Sequence, residues 1–465
     1  MRRNRIYTDI ELIGLHSAGR SFGYIGPKRI YLDFGIPGER ISANEVRREG
    51  DYLRGSVCEV TSPVEGRQSP FCKHYGLCGG CEWQHMEYGE QLRWKRQLLI
   101  NALSKYAIPA TEIPLPLPSP EFINYRQKLE YSFSARRWYH EGEGRIEDPV
   151  RRQALGFHLI NNPYKVLDIE ECYLQPEPGR KIYEAVKEIS FREGYSYFDP
   201  KEKTGFLQNL IIRVNRKGEA MVIIVFCEDN PLKIKKLLEF IKVSVPEIVS
   251  LWYTILPDIQ QSWQDQELIP YTESQPYLEE LANGLSFRMS PGSFYQPNPA
   301  QAENIFSSVR KLADLKGNET VYDLYSGIGT LGLSVAGKAK QVIGIEGSHS
   351  AVKDAEMNAK LNGFSNCYFV NGDVLGTFTS EFIEKHGKPD LVILDPPRSG
   401  TLIEIKKTIL AASPQKIIYL SCNPLSLAFD LKMLTQGYEI TYIQAFDQFP
   451  HTHHLETLVM LEGQT

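Results

Sequence analysis

The chain has 465 residues, of which 42% are hydrophobic, 23% charged and 11% aromatic, the composition of an ordinary globular protein with two to four domains. Its net charge of −5 lacks the basic balance of many nucleic-acid binders, so any polyanion site has to be local. The longest strongly apolar run, residues 221–227, is too short for a membrane helix. The basic N-terminus lacks the apolar stretch of a secretory signal. We therefore expect no membrane partner and a cytoplasmic location.

The first 64 residues predict a small β-barrel. Short apolar runs alternate with glycine-containing turns from residue 5 to about 62, a pattern typical of several short strands. Strands of this kind close into small barrels such as the OB-fold. We expect an OB-like barrel domain over residues 1–64.

Residues 65–282 predict a central α+β domain. A turn-rich stretch with three cysteines is followed by a helical pattern over about 87–106, which could pack on the C-terminal domain, and then by a proline-rich linker. Farther on, runs of β-branched residues alternate with a segment of helical spacing, as in mixed α+β domains.

Residues 283–465 predict an α/β domain with a doubly wound, Rossmann-like parallel sheet. Apolar strand patterns alternate here with helical segments, the signature of such a sheet. Ligands of doubly wound sheets bind at the carboxyl ends of the strands. The candidate site residues are therefore sought there.

A glycine-rich turn follows the first of these strands, after Asp323. Gly327, Gly329 and Gly332 spell G-x-G-x-x-G at the start of a helix, where the backbone can approach a ligand closely. Glu346 ends the next strand, where a carboxylate can accept hydrogen bonds from ribose hydroxyls. These two features fit NAD and S-adenosylmethionine (SAM) equally well.

Three later strand ends carry reactive or rigid groups. Asp395 and Arg398 enclose two prolines, and this rigid apolar ledge suits a planar base, for which a dehydrogenase has no need. Cys422 ends a further apolar strand and is a candidate nucleophile. Glu456 enters the last apolar strand, and buried acids are candidate general bases. The nearby histidines, in HxHH spacing, are weak evidence for a metal.

The cysteine spacing predicts a metal or cluster site. Cys72, Cys78 and Cys81 fall within ten residues, and Cys172 is the apparent fourth ligand. In a cytosolic protein such a group indicates metal binding before disulfides. Four thiolates fit a [4Fe-4S] cluster or tetrahedral zinc, and the spacing favours iron-sulfur.

These segments together resemble the RNA 5-methyluridine (uracil-C5) methyltransferases that carry a TRAM domain and an iron-sulfur cluster, in particular the 23S rRNA type. The resemblance covers nearly the whole chain and implies a TRAM barrel, SAM as cofactor, Cys422 as nucleophile and Glu456 as base. It is carried by the segments CEWQH, NYRQKLEYSF, LGFH, DIEEC, SFYQPN, DLYSGIGTLGL, IEG, GDV, DPPRSG, SCNP and PHTHHLE. Ser326 departs from the cysteine of many members, and Thr330 from the asparagine of some.

The resemblance also implies ligand sets. The cluster ligands fall on Cys72, Cys78, Cys81 and Cys172. The SAM contacts fall on Gln296, Tyr325, Thr330, Glu346, Asp373 and Asp395. Arg126, Lys128 and Arg398 are candidate RNA contacts.

The predicted activity is methylation of C5 of a specific uridine in RNA by a monomeric enzyme. The resemblance favours 23S rRNA, and tRNA is the alternative substrate. An NAD-linked iron-sulfur oxidoreductase would explain the glycines and the cysteines, but it leaves Cys422 and Glu456 without a task. A non-catalytic RNA-binding protein is a second alternative.

Overall fold

The computed structural model describes residues 5–108, 112–139, 152–160, 162–256, 262–272 and 274–463. These residues form two compact units. Unit 1 consists of residues 1–76, 80–119 and 395–465, and unit 2 of residues 77–79 and 120–394. Within the described ranges, no helix combines the length and apolar character that crossing a membrane requires. The division into 1–64, 65–282 and 283–465 remains a sequence-based prediction.

Unit 1 begins with a six-stranded sheet in the order β1-β5-β6-β4-β3-β2. Only β4 and β6 pair in parallel. Ile30, Leu32 and Ile41 are fully buried in its core, as the alternation of apolar residues predicts. The strands are β1 (Tyr7–Glu11), β2 (Gly14–Leu15), β3 (Ser21–Ile25), β4 (Lys28–Asp33), β5 (Arg40–Glu49) and β6 (Tyr52–Ser62), and helix α1 (Tyr88–Lys105) follows.

The first half of unit 2 is a seven-stranded sheet in the order β13-β12-β11-β10-β7-β8-β9. Strand β11 is buried along its whole length, because it lies inside the sheet with an apolar residue at every position. The elements are β7 (Lys128–Ser134), β8 (Ala154–Leu159), β9 (Asn162–Asp168), α2 (Gly179–Arg192), β10 (Leu207–Val214), β11 (Ala220–Phe226), α3 (Pro231–Ser244), β12 (Ile248–Ile255) and β13 (Ile269–Pro270).

The second half of unit 2 has the alternation of strands and helices that the sequence predicts. Four strands pair in parallel in the order β18-β17-β16-β19. Strands β16 and β19 are entirely buried. The elements are β14 (Leu278–Ala282), β15 (Leu285–Met289), α4 (Pro299–Ala313), β16 (Thr320–Leu324), α5 (Thr330–Ala336), β17 (Gln341–Glu346), α6 (His349–Leu361), β18 (Cys367–Asn371), α7 (Val374–Thr377), α8 (Ser380–His386) and β19 (Leu391–Leu394).

The C-terminal part of unit 1 departs from an all-parallel sheet. Strand β22 runs antiparallel to both β20 and β21. The loop of residues 447–455 joins β21 to β22 without a helix, and a parallel connection would need a crossover of a dozen residues or more. The elements are α9 (Ile403–Ala412), β20 (Lys416–Ser421), α10 (Pro424–Leu434), β21 (Tyr438–Phe446) and β22 (Glu456–Gly463).

Helix α1 packs against α10 within unit 1 and is joined to the loop after β21 by a buried ion pair. Lys95 Nζ lies 2.5 Å from Asp447 Oδ1, and both side chains are 0% exposed. Lys95 Nζ also donates to the carbonyl oxygen of Phe449 at 2.9 Å. Burial lowers the pKa of Lys95, and the charge of Asp447 opposes that shift. The loop is thus held by a helix more than 300 residues earlier in the chain.

We expect Lys95→Met to destabilise the fold by about 3–5 kcal/mol, because it leaves the Asp447 carboxylate buried without its cation. Chemical unfolding followed by circular dichroism measures this change. Lys316→Met is the matched control, since Lys316 pairs with Asp314 on the surface, where a pair is worth about 0–1 kcal/mol. Equal stabilities of the two variants would contradict the expectation.

Candidate active site

Cys422 and Glu456 lie at neighbouring strand ends in unit 1. Cys422 directly follows β20, and Glu456 is the first residue of β22. The two strands pair antiparallel with Ser421 opposite Thr457. The register therefore places the predicted nucleophile and the predicted base at one edge of this part of the sheet.

The loop after Asp395 is fixed on this same side of unit 1. Asn423 Nδ2 donates to the carbonyl oxygen of Arg398 at 2.9 Å. The backbone N–H of Thr401 donates to Asp430 Oδ2 at 2.7 Å, so the middle and the end of the loop are tied to the start and middle of α10. Burial raises the pKa of Asp395 to about 7.

The environment of Cys422 keeps its side chain protonated near neutral pH. Burial and the negative charges of Glu456 and Asp395 raise the pKa of the thiol to about 12, while the guanidinium of Arg398 opposes the shift. The thiolate is the nucleophilic form of cysteine. A positive charge near Sγ, such as that of Arg398, stabilises the thiolate and therefore favours nucleophilic attack by Cys422.

Glu456 is a buried acid with a strongly shifted titration. Its side chain is 5% exposed, and burial, followed by the charge of Asp395, raises its pKa well above the usual value, while Arg398 acts in the opposite direction. Its Oε2 accepts no hydrogen bond from the described residues. An acid in such surroundings is suited to accept a proton from a substrate.

A cavity of about 270 Å³ in unit 1 borders Cys422. Its wall mixes apolar side chains with Arg398 and two histidines, as in pockets that hold a ligand in a fixed orientation. Five separate stretches of the chain line it: Ser17 and Ala18; Leu98 and Ala102 of α1; Arg398; Cys422, Asn423, Pro424 and Leu425; and His453, His454 and Leu455.

The loop histidines are hydrogen-bonded to the segment around α1. The backbone N–H of His451 donates to Gln91 Oε1 at 2.9 Å. His453 Nδ1 lies 2.5 Å from Glu82 Oε2. Burial raises the pKa of Glu82, but the hydrogen bonds and charge of His453 outweigh it, so the pKa is lowered. The Glu82–His453 pair could not be predicted from the sequence, because its members are far apart in the chain and no motif joins them.

In unit 2 the glycine-rich turn lies at the carboxyl end of β16. Tyr325 and Gly327 have φ angles of 65° and 55°, a region that glycine occupies without strain. A side chain at Gly327 would meet no atom within 4 Å, so open space adjoins the turn. Asp323 Oδ2 accepts the backbone N–H of Gly332 at 2.8 Å and fixes the start of α5.

Two carboxylates follow the neighbouring strands of unit 2. Glu346, at the end of β17, accepts the N–H groups of Gly327 at 3.0 Å and Ser348 at 2.8 Å, one on each oxygen. A carboxylate oxygen has two lone pairs, so Glu346 can still accept ribose hydroxyls. Asp373 caps α7. The turn, its open space and these acids fit an adenosyl group.

The remaining predicted SAM residues of unit 2 lie near helix starts. Gln296 is buried and lies shortly before α4, and Thr330 is the first residue of α5. Their contacts with a cofactor remain predictions.

The four predicted cluster ligands are half-buried cysteines, and none of them forms a disulfide. Cys72 and Cys81 belong to unit 1, whereas Cys78 and Cys172 pack against the core of unit 2. Among the residues that the structure describes, no three His, Cys, Asp or Glu side chains are grouped as metal ligands. Cysteine thiolates are suitable ligands for an iron-sulfur cluster. The described residues do not, however, include a preformed group of such ligands.

The two predicted RNA contacts of the central region are half-buried in unit 2. Arg126 Nε donates to the carbonyl oxygen of Lys128 at 3.2 Å. Burial and the charge of Arg213 lower the pKa of Lys128 to about 8, and its Nζ lies over the ring of Trp263. Arg398, in contrast, is exposed in unit 1.

Known proteins resemble this chain along nearly all of its length. A family model described as tRNA (uracil-5-)-methyltransferase matches residues 277–464. An uncharacterized RNA methyltransferase of Bacteroides thetaiotaomicron is 38% identical over 449 residues, 96% of this chain and 99% of that one. Another, from Porphyromonas gingivalis, is 38% identical over 98% of this chain and 100% of its own length.

A solved structure is also similar to this chain over nearly all of its length. The crystal structure of Pyrococcus abyssi tRNA (uracil-54, C5)-methyltransferase in complex with S-adenosyl-L-homocysteine covers 97% of this chain and 99% of that chain. The TM-score is 0.76 at 27% sequence identity.

Proposed function

Since this chain belongs to the RNA uracil-5-methyltransferase family and is an S-adenosylmethionine-dependent enzyme, we propose that it methylates C5 of one specific uridine by covalent catalysis. The observation that carries this proposal is the placement of Cys422 and Glu456 at paired strand ends, where the charge of Glu456 raises the pKa of the Cys422 thiol. The NAD-linked oxidoreductase alternative is wrong, because the chain belongs to a methyltransferase family. For the same reason the chain is an enzyme and not a non-catalytic RNA-binding protein.

Cys422 supplies the nucleophile in this proposal. Uracil C5 is a weak carbon nucleophile, and a bond from Sγ to C6 moves the electron pair of the C5–C6 double bond toward C5 and the O4 carbonyl. The thiol proton passes to solvent before the bond forms, and the positive charge of Arg398 favours the resulting thiolate. Covalent catalysis of this kind divides one difficult step into easier ones.

The cofactor would be held by residues at the ends of the parallel strands. Glu346 would accept the ribose hydroxyls beside the glycine-rich turn, and Gln296, Tyr325, Thr330, Asp373 and Asp395 complete the proposed set. When bound, S-adenosylmethionine supplies the methyl group to C5.

Glu456 removes the proton that C5 still carries after methylation. The electron pair of the C5–H bond re-forms the double bond, and Sγ leaves C6. Burial raises the pKa of this carboxyl and so makes its carboxylate a stronger base, as efficient general-base catalysis requires. Asp395 and Arg398 orient the target ring against the proline ledge, and the base is unpaired or flipped out of its stack.

We also propose that Cys72, Cys78, Cys81 and Cys172 bind a [4Fe-4S] cluster. The support is the C-x5-C-x2-C spacing of the first three cysteines and the partial burial of all four side chains. The reaction has no redox step, so the cluster would order the loop-rich segment. Iron and sulfide analysis of anaerobically purified protein tests this, with about four of each expected per chain, and bound zinc in place of iron would contradict it.

The RNA substrate and its contacts form the finer part of the proposal. The N-terminal sheet would be a TRAM-type, OB-like barrel that contacts phosphates, with Arg126, Lys128 and Arg398 adding contacts. Resemblance of the motifs supports 23S rRNA. The Pyrococcus relative acts on tRNA, which supports tRNA as the second candidate. The enzyme would act as a cytoplasmic monomer.

A side-by-side assay tests the reaction and the substrate. Anaerobically purified protein is incubated with methyl-labelled S-adenosylmethionine and unmodified 23S rRNA or tRNA transcripts, and the nucleosides are separated. We expect the label in 5-methyluridine from 23S rRNA alone. Label in tRNA alone would identify the second candidate, and label in another nucleoside would contradict methylation at C5.

A further inference from the structure

The turn between β2 and β3, residues 16–20, forms part of the wall around Cys422. Ser17 and Ala18 line the same cavity as the Cys422 thiol. This turn belongs to the N-terminal sheet, more than 400 residues before the nucleophile. No reaction step described above assigns it a task.

The turn is held rigidly from within and from both sides. The N–H of Gly19 donates to the carbonyl oxygen of His16 at 2.9 Å. Arg20 Nε donates to the buried Asp33 at 2.7 Å, which ties the turn to β4. On the other side, Trp83 Nε1 donates to the carbonyl oxygen of Gly19 at 2.9 Å. A turn fixed in this way can serve as a support for whatever packs on it.

His453 packs directly on Gly19. A Cβ built at Gly19 would lie 2.6 Å from Cβ of His453, whereas carbon atoms normally approach to about 3.5–4.0 Å. Since Cβ is fixed to the backbone, His453 could make room only by a shift of residue 453 itself. The hydrogen bonds from His453 to Glu82 oppose such a shift.

We propose that the turn of residues 16–20 is a positioning element for the catalytic base. The turn supports His453, which is three residues before Glu456. Glu456 is the first residue of β22, and the next residue, Thr457, pairs with Ser421 of β20. A displaced His453 would move the carboxyl of Glu456 away from C5. This inference rests on the proposed function and adds a role of the N-terminal sheet in the chemical step, beyond contact with RNA.

Gly19→Ala tests the proposal in the full-length protein. We expect its kcat for methyl transfer to fall about a hundredfold, the effect of a misplacement of roughly 1 Å, with the KM values for RNA and for S-adenosylmethionine unchanged. Gly218→Ala is the matched control. Gly218 has a φ of 79°, close to the 75° of Gly19, and a Cβ there would meet no atom within 4 Å. The control carries the same backbone strain without the contact, so its kcat should stay at the wild-type value.

Repeating the Gly19→Ala substitution in a His453→Gly variant distinguishes a positioning role of the turn from a general disturbance of the fold. His453→Gly removes the atoms that Gly19→Ala would strike, so adding Gly19→Ala to His453→Gly should lower kcat no further. Three results would overturn the proposal: equal kcat for Gly19→Ala and Gly218→Ala, the same loss in both backgrounds, or a rise in the KM for RNA alone. Wild-type protein that methylates no RNA would instead contradict the proposed function.

Discussion

Cys422→Ala is expected to reduce methyl transfer to the level of the reaction without enzyme. Without Sγ, no bond to C6 can form, and C5 is too weakly nucleophilic to accept a methyl group. Cys422 is half-buried, so truncation of its side chain should leave the fold and the affinity for S-adenosylmethionine close to those of the wild type. Labelled-methyl assays and calorimetric titration of the cofactor measure the two properties.

Cys227→Ala is the control for this substitution. Cys227 is also a half-buried cysteine whose pKa burial raises to about 12, but it lies in unit 2, directly after β11, outside the proposed chemistry. Wild-type turnover is expected for it. Substantial methyl transfer by Cys422→Ala would show that another group attacks the ring or that no covalent bond is needed.

Glu456→Gln is expected to slow turnover by about 10²–10⁴-fold, the usual contribution of a general base. An amide cannot take the C5 proton, so the methylated ring stays bound to Cys422. Protein that is covalently attached to RNA should therefore accumulate during the reaction, and a denaturing gel with labelled methyl groups measures it.

Glu462→Gln serves as the control, because Glu462 lies near the other end of the same strand and is half-buried. It should turn over normally without an accumulated complex. A Glu456→Gln variant that turns over as fast as the control would remove Glu456 from the role of base.

The sequence predicted those parts of the site that lie on local patterns. The strand, turn and helix around Asp323 and Gly327 are present as predicted, because the glycine spacing and the apolar strand are encoded within a few residues. Cys422 and Glu456 lie at strand ends for the same reason. Their raised pKa values arise from burial in the folded protein, and a sequence pattern only hints at burial.

The supports of the site could not be predicted in this way. The helical pattern around Lys95 predicts an exposed, charged side chain. Only the folded structure shows that Lys95 is fully buried against Asp447. The contact of Gly19 with His453 joins two turns without a shared motif. The prediction of a parallel sheet was wrong for β22, because alternating strands and helices indicate parallel pairing. The loop before β22 is too short for a parallel connection and indicates antiparallel pairing instead.

Trapping the covalent complex tests the central claim most directly. Wild-type protein, S-adenosylmethionine and the RNA that it methylates are combined, with 5-fluorouridine at the target position. Glu456 cannot remove fluorine as it removes a proton, so the bond between Sγ and C6 should persist. We predict a complex that survives denaturation, in which mass spectrometry finds the nucleotide attached to Cys422. No such complex is expected with Cys422→Ala. Attachment to another residue, or no complex with an RNA that is readily methylated, would contradict covalent catalysis by Cys422.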